Sequence, residues 1–265
     1  MKKGTEIFSL AGKTALITGA TGHLGSAMAE SLAQAGAHVF VNSRSPEACN
    51  HLAEKIRKAG YSAEALAFDI TNESQVRKNC QKVAKSPLHI LINNAASTTL
   101  GNIQESSAES YRERYEVILV AAHNLLLRTL PGLRKAVKET GEASVINISS
   151  MYGLVSPDPR IYSSVKEVNP PFYGAAKAAL IQWTRYAACE FGGEGIRVNA
   201  ISPGPFPSRE AQKNKGFIKK LAGKNPMGRI GQAKEIKGPV LFLASAASSY
   251  VNGANIAVDG GWTSW

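Results

Sequence analysis

The segment from Thr14 to Ala35 constrains the fold more than any other part of the chain. Thr14-Ala-Leu-Ile-Thr18 is a short, largely apolar run, the pattern of a strand buried on both faces of a parallel sheet. Gly19-Ala-Thr21-Gly22-His23-Leu24-Gly25 follows, and then a helical pattern from Ser26 to Ala35. Strand, glycine-rich turn and helix in this order let the backbone approach a pyrophosphate at the helix N-terminus. The alternation then repeats. His38 to Asn42 reads as a strand, 46–59 as a helix stopped by Gly60, and 63–68 as a strand ending at Asp69. A helix over 73–84 leads to a strand over 88–92, with Asn93-Asn94-Ala95-Ala96 at its end. The spacing predicts a long helix from Ala108 to Ala136, bent or broken near Pro131-Gly132, and a strand from Ser144 to Ile148 that ends in Ser149-Ser150. A strand over 196–201 and a stiff Pro203-Gly204-Pro205-Phe206-Pro207 loop complete the pattern. Strands alternating with helices this regularly predict an α/β fold, a doubly wound parallel sheet with helices on both faces. Its ligand site lies at the carboxyl ends of the strands.

The 265 residues, 44% of them hydrophobic, suffice for one domain with a sizeable core, and no linker or internal repeat interrupts them. Cys49, Cys80 and Cys189 are far apart, which argues against a disulfide framework or zinc site and suits a reducing cytoplasm. The N-terminus has Lys2 and Lys3, but Glu6 and Lys13 interrupt anything like a signal-peptide apolar core. No stretch approaches the ~20 apolar residues of a membrane span, so no membrane partner is expected. The net charge of +11 admits a generally basic surface or an anionic ligand. Nucleic acid is conceivable on charge alone, but no recognised binding motif supports it.

Two patterns point to chemistry. In Tyr173-Gly-Ala-Ala-Lys177 the phenol and the ammonium share a helix face, and a nearby cation favours phenolate and lowers a phenol pKa toward neutrality. Tyr173 is then suited to exchange a proton with a carbonyl/alcohol pair, and Ser150 is placed to donate to the same oxygen. Tyr162-Ser-Ser-Val-Lys166 has the same spacing, but Pro170 and Pro171 follow it and would end a helix begun there. The same prolines precede the uninterrupted helix-forming run from Tyr173, where proline is tolerated. The second pattern is Ser43-Arg44 at the end of the second strand, where a fold preferring NAD places an acid. A guanidinium there pairs with a 2′-phosphate, which favours NADP(H) over NAD(H); the alternative is a solvated loop arginine.

With these residues in order, the chain resembles the short-chain dehydrogenase/reductase family over nearly its whole length. The resemblance rests on Thr18-Gly19 with its glycine turn, Asp69, Asn93-Asn94-Ala95, Ser150, Tyr173/Lys177, Arg197-Val-Asn199, Pro203-Gly204 and the tail Ser249 to Gly261. It implies a single Rossmann-type domain and an oxidoreductase transferring hydride between a nicotinamide and a ketone or secondary alcohol. Tyr173 is the implied acid/base, Ser150 the holder of the substrate oxygen, and Lys177 the holder of the nicotinamide ribose and acidifier of Tyr173. Implied cofactor contacts are Gly19, Thr21, Gly22, His23, Leu24 and Gly25 in the turn, then Ser43, Arg44, Asp69, Ile70, Asn94, Ala95 and Ala96. Tyr173, Lys177, Pro203, Gly204 and Phe206 complete them. A cytoplasmic homotetramer or homodimer is implied, with contacts near Ile256 to Val258, and no metal.

Two positions depart from the family. His23 stands where a glycine is usual, with Gly22 one place earlier, and the helix position usually held by a fourth catalytic residue, an asparagine, is Ile118. Both motivate an alternative reading, a cofactor-binding or scaffold protein with impaired chemistry. Residues 154–172 look like a proline-stiffened insertion beside the active site, similar to one in gluconate 5-dehydrogenase-like proteins and in those linked to flagellin modification and nonulosonic-acid sugars. That similarity implies a sugar or sugar-acid substrate and a place in carbohydrate metabolism; an oligomer-contact loop is the competing reading. From Arg209 to Lys224 the chain carries Arg209, Lys213, Lys215, Lys219, Lys220 and Lys224 against Glu210 alone, a cationic lid for an anionic substrate or an ordinary solvated face.

Overall fold

The computed structural model describes residues 5–96 and 99–265. Seven parallel strands form one sheet in the order β3-β2-β1-β4-β5-β6-β7. They are β1 (Thr14–Ile17), β2 (His38–Val41), β3 (Ala63–Ala65), β4 (Ile90–Asn93), β5 (Ala143–Ile148), β6 (Ile196–Pro203) and β7 (Asn255–Val258). The helices are α1 (His23–Gln34), α2 (Pro46–Lys58), α3 (Glu73–Val83), α4 (Ala108–Tyr115), α5 (Ala121–Thr140), α6 (Pro171–Phe191), α7 (Lys215–Lys224) and α8 (Lys237–Ala244). The strand order reverses direction between β1 and β4, and a crevice opens there at the carboxyl ends.

The apolar runs act as expected for a sheet covered twice. Neighbouring side chains of β1 go to opposite layers. Ile17 joins Met28, Leu32, Leu52, Ile56, Val240 and Leu243, whereas Leu16 joins Val76, Leu91, Leu125, Leu133, Val145 and Phe191. Burying such a side chain contributes about 1.5–3 kcal/mol, so a one-residue slip of β1, which would exchange the two layers, is strongly disfavoured. Local chemistry sets the helix ends. Ser45 accepts from the Ala48 N–H ahead of Pro46, and Asn72 accepts from the Gln75 N–H.

Four expectations shift. α1 starts at His23 rather than Ser26, so the end of the glycine turn is already helical. β3 is shorter than 63–68, although the Leu66 and Phe68 N–H groups still reach the Val41 and Ser43 carbonyls, and the Asn42 side-chain amide donates to the Leu66 and Phe68 carbonyls at 3.0 and 3.1 Å. The long helix does not break at Pro131. It loosens earlier into a π turn, Glu116–Val120, where the Ala121 N–H reaches the Glu116 carbonyl. Pro131 is exposed, so the carbonyl it leaves without an N–H faces water, and Thr129 Oγ1 donates to the Leu125 carbonyl at 2.7 Å. The combined stretch Ala108–Thr140 is long and apolar enough to cross a membrane by length and composition, contrary to expectation. Half of its most apolar window is buried inside the protein, where Leu125, Leu126 and Leu133 pack on the sheet.

Candidate active site

The glycine turn and the tyrosine helix face each other across one cleft of about 540 Å³. Every residue expected at the cofactor or the reacting group lines it. Gly19, Thr21, Gly22, His23, Leu24 and Gly25 come from the turn after β1, and Ser43 and Arg44 from the end of β2. Asp69 and Ile70 follow β3, Asn94, Ala95 and Ala96 follow β4, Ser150 follows β5, and Pro203, Gly204 and Phe206 close the β6 side. Tyr173 and Lys177 form the wall on α6. Sequence reasoning did not single out Asn42, Phe68, Thr71, Val117, Ile148 and Ser149, which also line it. For all but Val117, which lies in the π turn, a position at or just beyond a strand end was the available signal.

The turn is built for close approach. Gly19 has φ +60°, and a Cβ there would lie 2.8 Å from Ala95 Cα. At Gly25 a Cβ would lie 2.2 Å from the Gly19 carbonyl oxygen. α1 has neither a side-chain cap nor an acidic residue in its first turn, leaving its N-terminal N–H groups to an anion. His23 Nε2 is sheltered from solvent and has no hydrogen-bond partner among the described residues. Burial first, and Arg209 second, lower the His23 pKa. Arg209 lines a pocket with Thr21, Gly22 and His23 beside the glycine turn. These features suit a pyrophosphate.

Asn93 and Asn94 serve the scaffold. Asn93 Nδ2 donates to Asn147 Oδ1 at 2.8 Å, and Asn147 Nδ2 to Thr184 Oγ1 at 2.9 Å, which ties β4 and β5 to α6. Asn94 Nδ2 donates to the Thr18 and Gly19 carbonyls, both at 3.0 Å, and clamps the glycine turn. Asp69 Oδ1 accepts from the Thr71 N–H and hydroxyl at 2.9 and 2.8 Å, which orders the turn after β3.

Three devices set the height of Tyr173. Pro171 opens α6. A Cβ on Gly174 would lie 2.7 Å from the Tyr152 carbonyl oxygen, and one on Gly153 would lie 2.9 Å from the Lys177 carbonyl carbon, so the turn after β5 sits directly on the helix. Ser149 Oγ donates to the Lys177 carbonyl at 2.9 Å. Ser150 stands beside the Tyr173 phenol in the cleft, its Oγ accepting from the Tyr152 N–H at 3.1 Å, and Lys177 Nζ donates to the Ile148 carbonyl at 2.6 Å, 5.7 Å from the Tyr173 ring centroid. The trio is assembled, but the electrostatics differ from expectation. Burial dominates and raises the Tyr173 pKa, against the Ser150 hydroxyl and the Arg114 charge that lower it. Lys177 is pushed down to about 7, by burial first and Arg114 second.

The second Tyr/Lys pair does not share a helix: Tyr162 follows one short 3-10 turn, Pro159–Ile161, and Lys166 lies in another, Val165–Glu167. Lys166 pairs with Glu105 at 3.2 Å, whereas the Tyr162 and Tyr152 hydroxyls meet at 2.9 Å. Residues 154–170 dock rather than dangle. Ile161 packs with Met151, Leu221 and Trp262, and Asp158 pairs with both Arg160 and Lys224. One cation of the lid is taken up by an acid outside the segment. Lys224 is paired with Asp158, Lys213 with Glu210 at 2.5 Å, and Lys220 Nζ donates to the Arg160 carbonyl at 3.3 Å. Among the described residues no group of His, Cys, Asp and Glu could hold a metal ion.

A doubly wound sheet with a phosphate turn facing a Ser/Tyr/Lys trio defines a nicotinamide-dependent oxidoreductase. A family model described as enoyl-(acyl carrier protein) reductase matches residues 19–263. The chain is similar to the rhamnolipids biosynthesis 3-oxoacyl-[acyl-carrier-protein] reductase of Pseudomonas aeruginosa, 32% identical over 96% of this chain and 98% of that one. It is similar to galactitol 2-dehydrogenase (L-tagatose-forming) of Cereibacter sphaeroides, 31% identical with 98% of each chain covered. Among solved structures, a gluconate 5-dehydrogenase from Burkholderia cenocepacia in complex with NADP and tartrate superposes with a TM-score of 0.88. It is 29% identical, with 99% of this chain and 100% of that chain covered. The chain belongs to the short-chain dehydrogenase/reductase family.

Proposed function

We propose that this protein uses NADP(H) to interconvert a ketone and a secondary alcohol on a sugar or sugar acid. One observation carries the reading: Ser150, Tyr173 and Lys177 share a cleft with a glycine turn and with Arg44 at the end of β2. The turn N–H groups, His23 and Arg209 would hold the pyrophosphate, Arg44 and Ser43 the 2′-phosphate, and Lys177 the ribose. NADP(H), when bound, supplies or accepts the hydride. Ser150 holds the substrate oxygen, and Tyr173 donates the proton to it in reduction or takes it in oxidation. The burial that raises the Tyr173 pKa keeps the phenol protonated at neutral pH. Reduction should therefore persist through neutrality and fall only as pH climbs through that raised value. Oxidation should rise with pH toward it.

The sugar class rests on the resemblance of 154–172 to the sugar-acid dehydrogenase insertion, and on its docking against α7 beside Ser150. Both acyl-thioester and sugar enzymes stand among the relatives, so the substrate screen must hold both. Turnover with a 3-oxoacyl thioester and none with sugar ketones would move the substrate class. A cytoplasmic homotetramer or homodimer built on the β7 edge belongs to the same proposal; β7 has only one neighbouring strand and half-exposed Ile256 and Val258.

Nicotinamide fluorescence titrations test the cofactor choice. NADPH should bind more tightly than NADH, and Arg44→Ala should cost NADPH alone roughly tenfold or more, the loss of a charge-assisted hydrogen bond. Equal affinities in the parent protein would reduce Arg44 to a surface residue. Asp158→Asn should raise KM for the substrate and leave NADPH affinity unchanged, because it removes the acid that holds α7 to the 154–170 wall. The Arg160 and Lys224 partners keep the Asp158 pKa well below the ordinary carboxylate range. That docking is complete above the unfolded carboxylate pKa and is lost as pH falls through the depressed one. An Asp158→Asn protein with parental KM would assign the wall no part in substrate binding.

A further inference from the structure

One buried charge beside the trio has no part in the scheme so far. Arg114, in the last turn of α4, is 4% exposed. Its guanidinium carbon lies 5.4 Å from the ring centroid of Phe172, the residue before Tyr173, and Nη2 donates to Thr99 Oγ1 at 3.3 Å. The π turn follows at once, and Ile118 within it packs against Ala122, Ala176 and Leu180 beside Lys177. The helix thus brings Ile118 into the apolar packing beside Tyr173 and Lys177, and a cation, one turn earlier, against Phe172 at the start of α6. Desolvating a guanidinium is costly, so the fold holds Arg114 there against a penalty.

The other cation near Tyr173 is a weaker source of charge. Lys177 is fully enclosed and pushed down to about 7, so at neutral pH its ammonium is partly discharged, whereas a guanidinium stays protonated at every accessible pH. We propose that Arg114 is a positioning residue that acts through Tyr173, its permanent charge favouring the phenolate that proton transfer requires. This rests on the reading of Tyr173 as the acid/base. The titratable and charged groups around the phenol are Arg114 from α4, Lys177 from α6 and Tyr152 from the turn after β5. Glu113, next to Arg114 on α4, acts on the guanidinium.

The test reads the phenol directly. In each background the phenolate absorbance of the Tyr173→Phe counterpart is subtracted along an alkaline titration of the full-length protein, which isolates the Tyr173 midpoint without any need for turnover. Arg114→Met, with Arg114→Gln as the second neutral variant should the first not fold, should move that midpoint upward by about one unit. The turnover pH profile, recorded alongside, should move in the same direction. A midpoint unmoved in both neutral variants would overturn the proposal. A moved midpoint in a protein without turnover supports Arg114 and counts against the enzymatic reading. Turnover with an unmoved midpoint does the reverse.

Discussion

Replacing Tyr173 by phenylalanine should cut turnover by roughly 10²–10⁴-fold, the usual contribution of a positioned general acid or base, while NADPH affinity stays at the parental level. The separation follows from where the phenol stands. Its ring belongs to the cluster that holds Ile118, Ala122, Ala176 and Leu180 together, and phenylalanine keeps that ring. What disappears is the hydroxyl that stands beside Ser150 in the cleft. The helix keeps its seat through the Ser149 bond to the Lys177 carbonyl and the close contacts at Gly153 and Gly174. Steady-state kinetics on the Tyr173→Phe protein, paired with a fluorescence titration, measures both halves. Turnover near the parental rate would remove Tyr173 from the proton step.

Gly25→Ala should be the most damaging single-methyl change in the chain, and here cofactor binding goes with stability. The added Cβ would stand 2.2 Å from the Gly19 carbonyl oxygen and 2.9 Å from Ala20 Cα. Both are backbone atoms, so no side-chain rotation relieves the clash and the turn must open. Overpacking of this kind costs about 1–3 kcal/mol, read as a lowered Tm. The shifted turn also withdraws the α1 N–H groups from the phosphate site, so NADPH binding should fall sharply. Gly223→Ala on α7 is the control, because a Cβ there meets nothing within 4 Å. If the two variants melt and bind alike, the turn is not the close-packed cradle described above.

Much of this site is legible in the sequence because its parts are local. A strand buried on both faces must be apolar, a turn that admits a pyrophosphate must be glycine-rich, and Pro170 and Pro171 decide which of two Tyr/Lys pairs can begin a helix. What escaped the sequence depends on distant partners or on burial. The interruption of the long helix gives no compositional signal at Glu116–Val120, whereas Pro131 gives a false one, because exposure makes its missing N–H inexpensive. Lys224 reads as part of a cationic lid until Asp158, far away in the chain, folds against it. The direction of the Tyr173 shift was misjudged for a related reason. Sequence places the cation near the phenol but does not say how deeply both are buried, and burial is the larger effect for each. Arg114 is the clearest case, since an arginine in a charged stretch such as Tyr111 to Glu116 reads as solvated.

The account stands or falls on NADPH consumption. Purified protein with NADPH and a panel of keto sugars and keto sugar acids, followed by nicotinamide absorbance, should oxidise the cofactor steadily with at least one member. The Tyr173→Phe protein should do so with none. If NADPH binds but no carbonyl in the panel, acyl thioesters included, draws its hydride, and no alcohol reduces NADP, the oxidoreductase account is contradicted. Ile118 and His23 would then mark a cofactor-binding protein whose chemistry has been lost.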